Sequence, residues 1–406
     1  MTAPPFPMGR VLRVAAARSL NTLGRQILSV AVGWELYERT GSPLTLGLVG
    51  LVQVLPVVTL FVPAGTAVDH YDRRWLSTLA AATTAAVGVG LALASGFAAP
   101  VPVYYGLMLL LGGATALHSP ASASLAATIF PREQLGRANA IQSSLQQTAA
   151  IVGPGLAGLL LWGLDPAWVF GLVGLTGAAS AVLYRTLARP PRASAGAASD
   201  RRDWRVGLRF IFASPLLLPA LTLDLFAVLF AGATALLPII ASDVLHVGPG
   251  GLGVLRAAPS VGAVVMALVQ SRIGAWKRPG RVLLVVVALY GVATIGFGLS
   301  RSFTLSLVLL AVGGALDNIS AVLRMTLEQL VTPDRIRGRV SAVHFVFIGM
   351  SNELGEMESG VVAELIGTVP AIVAGGAVAI LVVGVVAVRW PALARMPPLH
   401  QLKPPD

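Results

Sequence analysis

The sequence contains no cysteine, and only 12% of its 406 residues are charged. Without cysteine the chain has no disulfide, no thiolate nucleophile and no sulfur-ligated metal site. It also lacks a glycine-rich nucleotide loop, a Ser-His-Asp set and a paired-histidine metal motif. We therefore expect that the protein is not an enzyme and that it binds no cofactor or metal ion. Any work it performs should draw on an ion gradient rather than on ATP.

Hydrophobic residues dominate what is present. They make up 55% of the chain, and the mean hydropathy is +0.79. About twelve apolar runs recur along the sequence, most of them near the roughly 20 residues that a helix needs to cross a bilayer. This composition predicts an integral membrane protein embedded in the lipid bilayer. The first residues include no short apolar core with a cleavage site, so we expect no removable signal peptide.

The basic residues are distributed asymmetrically. Of the 29 lysines and arginines, 24 fall in the N-terminal segment and after the even-numbered predicted helices, whereas Arg39 and Arg301 alone fall in the opposite loops. Basic residues favour the cytoplasmic side, so both termini are predicted to lie in the cytoplasm, with the protein in the plasma (inner) membrane. The net charge of +11 is explained in this way without any nucleic-acid partner.

One segment occurs twice in the chain. Residues 131–140 align with residues 333–342 at an offset of 202, and the same offset brings Gly153 onto Gly355 and Gly158 onto Gly360. An offset near half the chain length indicates a duplicated chain. We predict an all-α membrane protein of twelve transmembrane helices in two pseudo-symmetric six-helix bundles, acting as a monomer. The predicted domains are residues 1–187, a cytoplasmic linker at 188–214, and residues 215–406.

The apolar runs and turn residues set approximate bounds for the helices. The predicted spans are 17–38, 44–68, 75–96, 102–128, 139–162, 167–187, 215–241, 250–271, 280–299, 304–330, 341–366 and 369–390. Alternating basic and apolar residues at 203–212 predict a further helix lying at the membrane interface. Residues 188–199 are predicted to be a flexible linker, and the proline-rich tail is predicted to be disordered.

A short charged segment, residues 65–74, joins the second and third predicted helices. Four of its positions match the loop motif of the major facilitator superfamily: Gly65, Asp69, Arg73 and Arg74. Three positions depart from that motif: Ala67, His70 and Asp72. Asp72 stands at the usual glycine, and with Tyr71 before it the loop resembles the enterobactin-exporter branch. The resemblance implies a transporter whose two halves are latched together by this loop on the cytoplasmic side.

The predicted fifth helix carries a second motif, Gly153-Pro154 followed by Gly158. It resembles the superfamily's Gly-Pro-x-x-Gly-Gly motif, which is associated with exporters and antiporters, although Ala149 and Ala157 replace glycines. Proline frees a backbone carbonyl and small residues allow close helix packing. The resemblance implies export of a small amphiphilic molecule such as a siderophore or drug. An ordinary small-residue helix contact is the alternative.

Several charged residues lie within predicted membrane helices. Asp317, Arg324 and Glu328 differ by seven and four positions, so they share one helix face, and Arg324 can pair with either carboxylate. Arg25 and Asp224 come from repeat-related regions and are predicted to face each other across a central cavity. His118 stands alone in an apolar helix and is predicted to be a packing residue.

The predicted eleventh helix is rich in carboxylates. Glu353, Glu356 and Glu364 share a face, whereas Glu358 lies about 140° away by helical spacing. A carboxylate at membrane depth indicates function, and desolvation together with crowding favours proton binding. We therefore predict a proton-coupled exporter that works by alternating access. Its predicted substrate and coupling residues are the following: Arg25, Asp224, Asp317, Glu353, Glu356 and Glu358, with Glu353 and Glu356 the leading pair.

Three alternatives remain open from the sequence. The membrane charges could form a fixed network of salt bridges that joins helices. The protein could be an uptake carrier for a cation or small solute, with the glutamate cluster coordinating a metal ion. It could also be a membrane scaffold that transports nothing.

Overall fold

The computed structural model describes residues 8–129, 132–187, 204–273 and 276–402 of the chain. The structure is 89% helical, and no strand occurs in these ranges. The predicted flexible linker at 188–199 lies outside the described residues.

Seven helices precede the linker. They are α1 (Met8–Thr40), α2 (Pro43–Thr59), α3 (Phe61–His70), α4 (Arg73–Gly96), α5 (Val101–Ile129), α6 (Arg132–Gly163) and α7 (Pro166–Thr186). The predicted helix 44–68 is in fact two helices that break at Leu60. Pro63 has no N–H to donate to the carbonyl of Thr59, so one helical hydrogen bond is missing at this break. α1 and α6 begin earlier than predicted because their polar first turns extend beyond the apolar run.

The second half begins with the predicted interfacial helix, α8 (Trp204–Ala213). It continues with α9 (Leu217–Ala231), α10 (Leu237–Ile239), α11 (Gly248–Gln270), α12 (Pro279–Leu299), α13 (Phe303–Val331), α14 (Arg337–Ile366), α15 (Thr368–Arg389) and α16 (Pro391–Ala394). The predicted helix 215–241 is interrupted at Gly232, after which a 3₁₀ turn, α10 and a π turn reach Val244. Pro238 contributes to the interruption because it has no N–H for the carbonyl of Thr234.

Nine helical segments in the described ranges are long and apolar enough to cross a membrane. The remaining three membrane-length segments are α1, α2 with α3, and α14. α2 is apolar but short, whereas α1 and α14 exceed the required length and carry more charged residues. The fold is that of an all-helical membrane protein with twelve spans.

The chain forms two compact units. The first contains Met1–Gly41, Val52–Ala195 and Gly248–Ala257, and the second contains Ser42–Leu51, Gly196–Val247 and Ala258–Asp406. The first turns of α11 thus belong to the first unit, and the first turns of α2 belong to the second.

The first unit is held together by close helix packing. α4 and α7 approach through small residues, and a Cβ added to Gly177 would lie 2.6 Å from the backbone nitrogen of Ala85. Such contacts replace the hydrophobic driving force that lipid does not supply between membrane helices. A buried cluster that includes Val11, Val14 and Tyr184 fills the end of this unit near the start of α1.

The second unit has a larger buried core, formed by α9, α12, α13, α14 and α15. α8 packs on it through Gly207, whose added Cβ would lie 2.7 Å from the backbone of Arg339. The predicted disordered tail is ordered at least to residue 402. Leu393 and Met396 are buried against the core, since apolar side chains just past α15 can still reach it.

Candidate functional site

A buried ion pair joins α9 to α13 in the second unit. Asp224 Oδ1 lies 2.6 Å from Arg324 Nη2, and the two residues are 6% and 5% exposed. Arg324 Nη1 also donates to Ser320 Oγ at 2.5 Å, one helical turn away. Two opposite charges can be buried this deeply only because each satisfies the other.

A small cavity lies beside this ion pair. It has room for about one water molecule, 10 Å³, and it is lined by Asp224, Asp317, Tyr290, Ser320 and Arg324 together with apolar side chains of α9 and α12. Asp317 interacts electrostatically with both members of the ion pair. The cavity therefore holds two carboxylates beside a single guanidinium.

A second buried pair lies one turn farther along α13. Glu328 Oε2 is in contact with His344 Nδ1 of α14, and Glu328 Oε1 accepts from Ser341 Oγ at 2.5 Å. Both Glu328 and His344 are buried. His344 also interacts electrostatically with Asp224, so the two pairs belong to one network. We call Asp224, Asp317, Arg324, Glu328 and His344 the charge cluster.

The structure corrects the predicted pairing of Arg324. Its salt bridge is with Asp224 rather than with Glu328, whose partner is His344. The spacing along α13 correctly put Asp317, Arg324 and Glu328 on one face. The spacing could not reveal that Asp224 of α9 and His344 of α14 supply the partners, because neither residue is on α13.

The charge cluster is short of positive charge. Three carboxylates accompany one guanidinium, so the cluster carries a net charge of −2 when His344 is neutral. Burying uncompensated charge costs several kcal/mol, and binding protons relieves that cost. The arrangement can therefore take up protons, either on His344 or on a carboxylate.

The carboxylates of α14 lie elsewhere in the second unit. The face that carries Glu353, Glu356 and Glu364 packs against the first turns of α2. A Cβ added to Gly50 would lie 2.7 Å from the carbonyl of Glu353 and 2.8 Å from the Glu356 Cβ. Glu358 is half-buried and lies off this face.

Glu364 makes a specific contact with α2. Its Oε2 accepts from Ser42 Oγ at 2.9 Å and from the Leu44 N–H at 3.2 Å. The carboxylate thus satisfies one backbone N–H at a helix start, where negative charge is favourable. In the described part of the chain, no group of three or more acidic or histidine side chains is arranged to hold a metal ion.

Arg25 lies in the first unit and is half-buried on α1. Together with Arg18 it interacts electrostatically with His118, which is half-buried and packs edge-on against Tyr184 with ring centroids 5.7 Å apart. His118 thus packs against an aromatic ring, as predicted. The predicted opposition of Arg25 and Asp224 stays a prediction.

Two charged groups in the first unit were not among the predicted site residues. Arg256 Nη2 of α11 donates to Ser29 Oγ of α1 at 2.6 Å. Glu35 is buried and binds Tyr104 OH at 2.8 Å and Arg39 Nη2 at 2.5 Å. The sequence features that could have identified them are an arginine inside α11 and a glutamate four residues before Arg39 in α1.

The loop motif lies at the junction of α3 and α4. Arg74 Nη1 donates to the carbonyl of Leu187 at 2.5 Å, so it ties the start of α4 to the end of α7. Asp72 caps α4 by accepting from the Arg74 N–H at 2.9 Å. A Cβ at Gly65 would meet no atom within 4 Å. Arg73 is half-buried, and the side chain of Asp69 lies outside the described residues.

The exporter motif is a packing surface on α6. A Cβ added to Gly153 would lie 2.6 Å from Gln26 Cβ of α1, and one added to Gly158 would lie 2.8 Å from Gly253 Cα of α11. The carbonyl of Pro154 also faces Gly253. The motif therefore brings two helix backbones together at van der Waals distance.

Apolar membrane spans that enclose a titratable charge cluster are features of a membrane transport protein. The family model of the Major Facilitator Superfamily matches residues 14–356, and the chain belongs to that family.

The chain is similar to two curated relatives. The chain is 29% identical over 333 residues to the enterobactin exporter EntS of Shigella flexneri, covering 81% of this chain and 79% of the relative. It is 29% identical over 405 residues to the multidrug efflux pump Tap of Mycolicibacterium fortuitum, covering 96% and 97%.

Solved structures support the fold. A bacterial homolog of the human lysosomal transporter Spinster, inward-facing and unoccupied, has a TM-score of 0.73 at 17% identity and covers 100% of both chains. A D-xylose-proton symporter has a TM-score of 0.73 at 13% identity, covering 97% of this chain and 99% of that one. The family assignment and the fold resemblance predicted from the sequence are confirmed.

Proposed function

We propose that the protein is a proton-coupled exporter of small amphiphilic molecules. The observation that carries this proposal is the charge cluster, in which Asp224, Asp317 and Glu328 accompany a single guanidinium, and Asp224 and Asp317 line a water-sized cavity beside it. A fixed structural network would be best served by equal numbers of opposite charges. An excess of carboxylates over basic groups is useful when protons bind and leave.

The coupling step follows from the position of Arg324. When Asp224 and Asp317 are both ionised, the guanidinium is shared between α9 and other groups on α13. When either carboxylate binds a proton, Arg324 pairs with the carboxylate that is still ionised. This changes the strength of the interaction between α9 and α13. Proton binding can in this way favour one conformation of an alternating-access cycle.

Two features favour export over uptake. The Gly153-Pro154 motif is associated with exporters, and the curated relatives are named as an exporter and an efflux pump. Those names make a siderophore or a drug the leading substrate class. The asymmetry of basic residues supports a topology with both termini in the cytoplasm.

The test is proton movement in sealed proteoliposomes, with ethidium as the transported probe and a trapped pH dye. Downhill ethidium flux should drive an opposite proton flux. D317N and D224N should each reduce this proton flux at least tenfold, because each removes a proton-binding site. D243N is the matched control, since Asp243 is an exposed carboxylate on the same membrane span as Asp224, Leu217–Val244.

A separate set of variants tests the glutamates of α14 in the same experiment. E353Q and E356Q test the sequence-based proposal that this pair carries the protons, and E358Q tests the remaining candidate. If the α14 variants lose coupling while D317N and D224N retain it, the coupling site lies on α14 rather than in the charge cluster. If all five variants retain coupling, proton-driven export is wrong.

A further inference from the structure

We propose that Arg18 and the polar face of α6 bind an acidic group of the transported molecule. The polar face consists of Ser143, Ser144, Gln147 and Thr148. The inference rests on the proposed function, because it names a substrate class for the same transporter: amphiphiles that carry a carboxylate or a phenolate. None of these five residues was among the predicted site residues.

The guanidinium of Arg18 has no counter-charge in the described part of the chain. Arg18 lies on α1 in the first unit and is half-buried. Its Nη1 donates to Gln142 Oε1 of α6 at 3.1 Å, so its partner is a neutral amide. Its Nε is enclosed and has no hydrogen-bond partner there. Holding a cation among membrane helices without a counter-charge is costly, and an acidic ligand would supply that charge.

The groups packed behind Arg18 are neutral or positive. Tyr184 of α7 is fully buried, and its phenol is an electrostatic neighbour of Arg18. His118 of α5 packs against the Tyr184 ring, and its electrostatic neighbours are Arg18 and Arg25, which are both cations. These helices therefore provide no negative charge that would neutralise the guanidinium from within the bundle.

The polar face begins beside Arg18. Its four residues are all exposed, although they lie within the membrane-length segment Gly136–Gly163. Its first residue directly follows Gln142, which binds Arg18. By contrast, the exposed residues in the middle of α7 include Leu175 and Val182, which suit contact with lipid. Polar side chains in a membrane span normally line a water-filled or ligand-binding surface, so the polar face indicates such a surface next to Arg18.

The chemistry of this surface selects an acidic amphiphile. A guanidinium offers a planar pair of N–H donors that matches the two oxygens of a carboxylate. The hydroxyl and amide groups of the polar face can bind further polar atoms of the same molecule. Leu145, which is also exposed, lies between these groups along α6 and offers an apolar contact.

The first experiment uses the unaltered protein in detergent and follows fluorescein binding by fluorescence anisotropy. Benzoate should displace fluorescein about tenfold more strongly than benzamide, because only benzoate carries the charge that pairs with a guanidinium. Equal displacement by the two compounds overturns the inference, and so does a failure of fluorescein to bind.

The second experiment compares fluorescein with rhodamine 123, which has the same ring frame but a methyl ester in place of the carboxylate and a net positive charge. In R18Q the ratio of the fluorescein affinity to the rhodamine 123 affinity should fall about tenfold or more. Q147A should lower fluorescein affinity about threefold, the loss of one neutral hydrogen bond. R13Q is the matched control, since Arg13 is an exposed arginine of the same helix that donates to the Gly9 carbonyl. An affinity ratio that falls equally in R18Q and R13Q, or in neither, overturns the inference.

The acidic group could instead be a lipid phosphate, and a repeat of the second experiment in phosphatidylglycerol nanodiscs separates the two. A difference between R18Q and the parent protein that persists in the nanodiscs supports the inference. A difference that disappears there assigns Arg18 to a lipid headgroup and overturns it.

The two proposals fail in distinguishable ways. Retained ethidium-driven proton flux in the aspartate variants and in the α14 glutamate variants refutes proton-coupled export, whereas the fluorescein measurements need no proton gradient. Loss of coupling in those variants with an unchanged affinity ratio in R18Q refutes the acidic-group site alone. If R18Q does not fold, the benzoate and benzamide comparison on the unaltered protein still decides the inference.

Discussion

At the scale of single residues, the charge cluster depends on contacts that no local pattern encodes. Helical spacing was enough to align Asp317, Arg324 and Glu328. The partners Asp224 and His344 lie on α9 and α14, so only the fold could bring them to this stripe. This explains why the sequence identified the right helix face but assigned the wrong partner to Arg324.

The Asp224–Arg324 pair gives a prediction about stability. R324M should destabilise the protein by about 3–5 kcal/mol, because it leaves Asp224 buried without its counter-charge. The double variant D224N/R324M should recover most of that loss, since no uncompensated charge remains. Unfolding free energies from denaturant titration in detergent, arranged as a double-mutant cycle, measure the coupling. A double variant no more stable than R324M would contradict the assignment of the pair.

The capping role of Asp72 gives a second prediction at this scale. D72A should destabilise the start of α4 by about 1 kcal/mol, because the Arg74 N–H loses its acceptor. D72G should cost only a few tenths of a kcal/mol, since glycine is a tolerated N-cap residue. Glycine is also the usual residue of the motif at this position. Thermal unfolding of both variants checks this order, and equal losses would contradict it.

At the scale of elements, proline and glycine explain where the helices differ from the predicted spans. Hydropathy alone predicted unbroken helices at 44–68 and 215–241, because the apolar runs continue through both breaks. Pro63 and Pro238 each remove one backbone donor, which divides the helix without changing its hydrophobicity. The polar extensions of α1 and α6 were missed for the opposite reason: they are helical but lie beyond the apolar runs.

The contact between α6 and α11 gives a prediction about the exporter motif. G158V should disturb this contact and reduce stability by about 1–3 kcal/mol or more, because a branched side chain cannot fit against the backbone of Gly253. G155V is the matched control, since a Cβ at Gly155 meets no atom within 4 Å. Ethidium efflux from cells and thermal stability in detergent measure the difference. Equal effects of the two substitutions would show that the motif is not a packing surface.

At the scale of the whole molecule, the sequence predicted the class of protein better than its site. Composition, the internal repeat and the two motifs were sufficient for the family and the twelve-span fold. The tail was predicted to be disordered from its prolines, but Leu393 and Met396 find buried positions against the second unit. Burial of a short segment depends on a neighbouring surface that hydropathy does not describe.

The central claim is that a proton gradient drives export, and one measurement tests it most directly. Proteoliposomes are given an imposed pH gradient, with ethidium at equal concentration on both sides and no other energy source. The account predicts that ethidium accumulates against its own gradient on the acidic side, that an uncoupler abolishes the accumulation, and that D317N does not accumulate it. Ethidium that only equilibrates in the parent protein, with or without the pH gradient, would contradict the account.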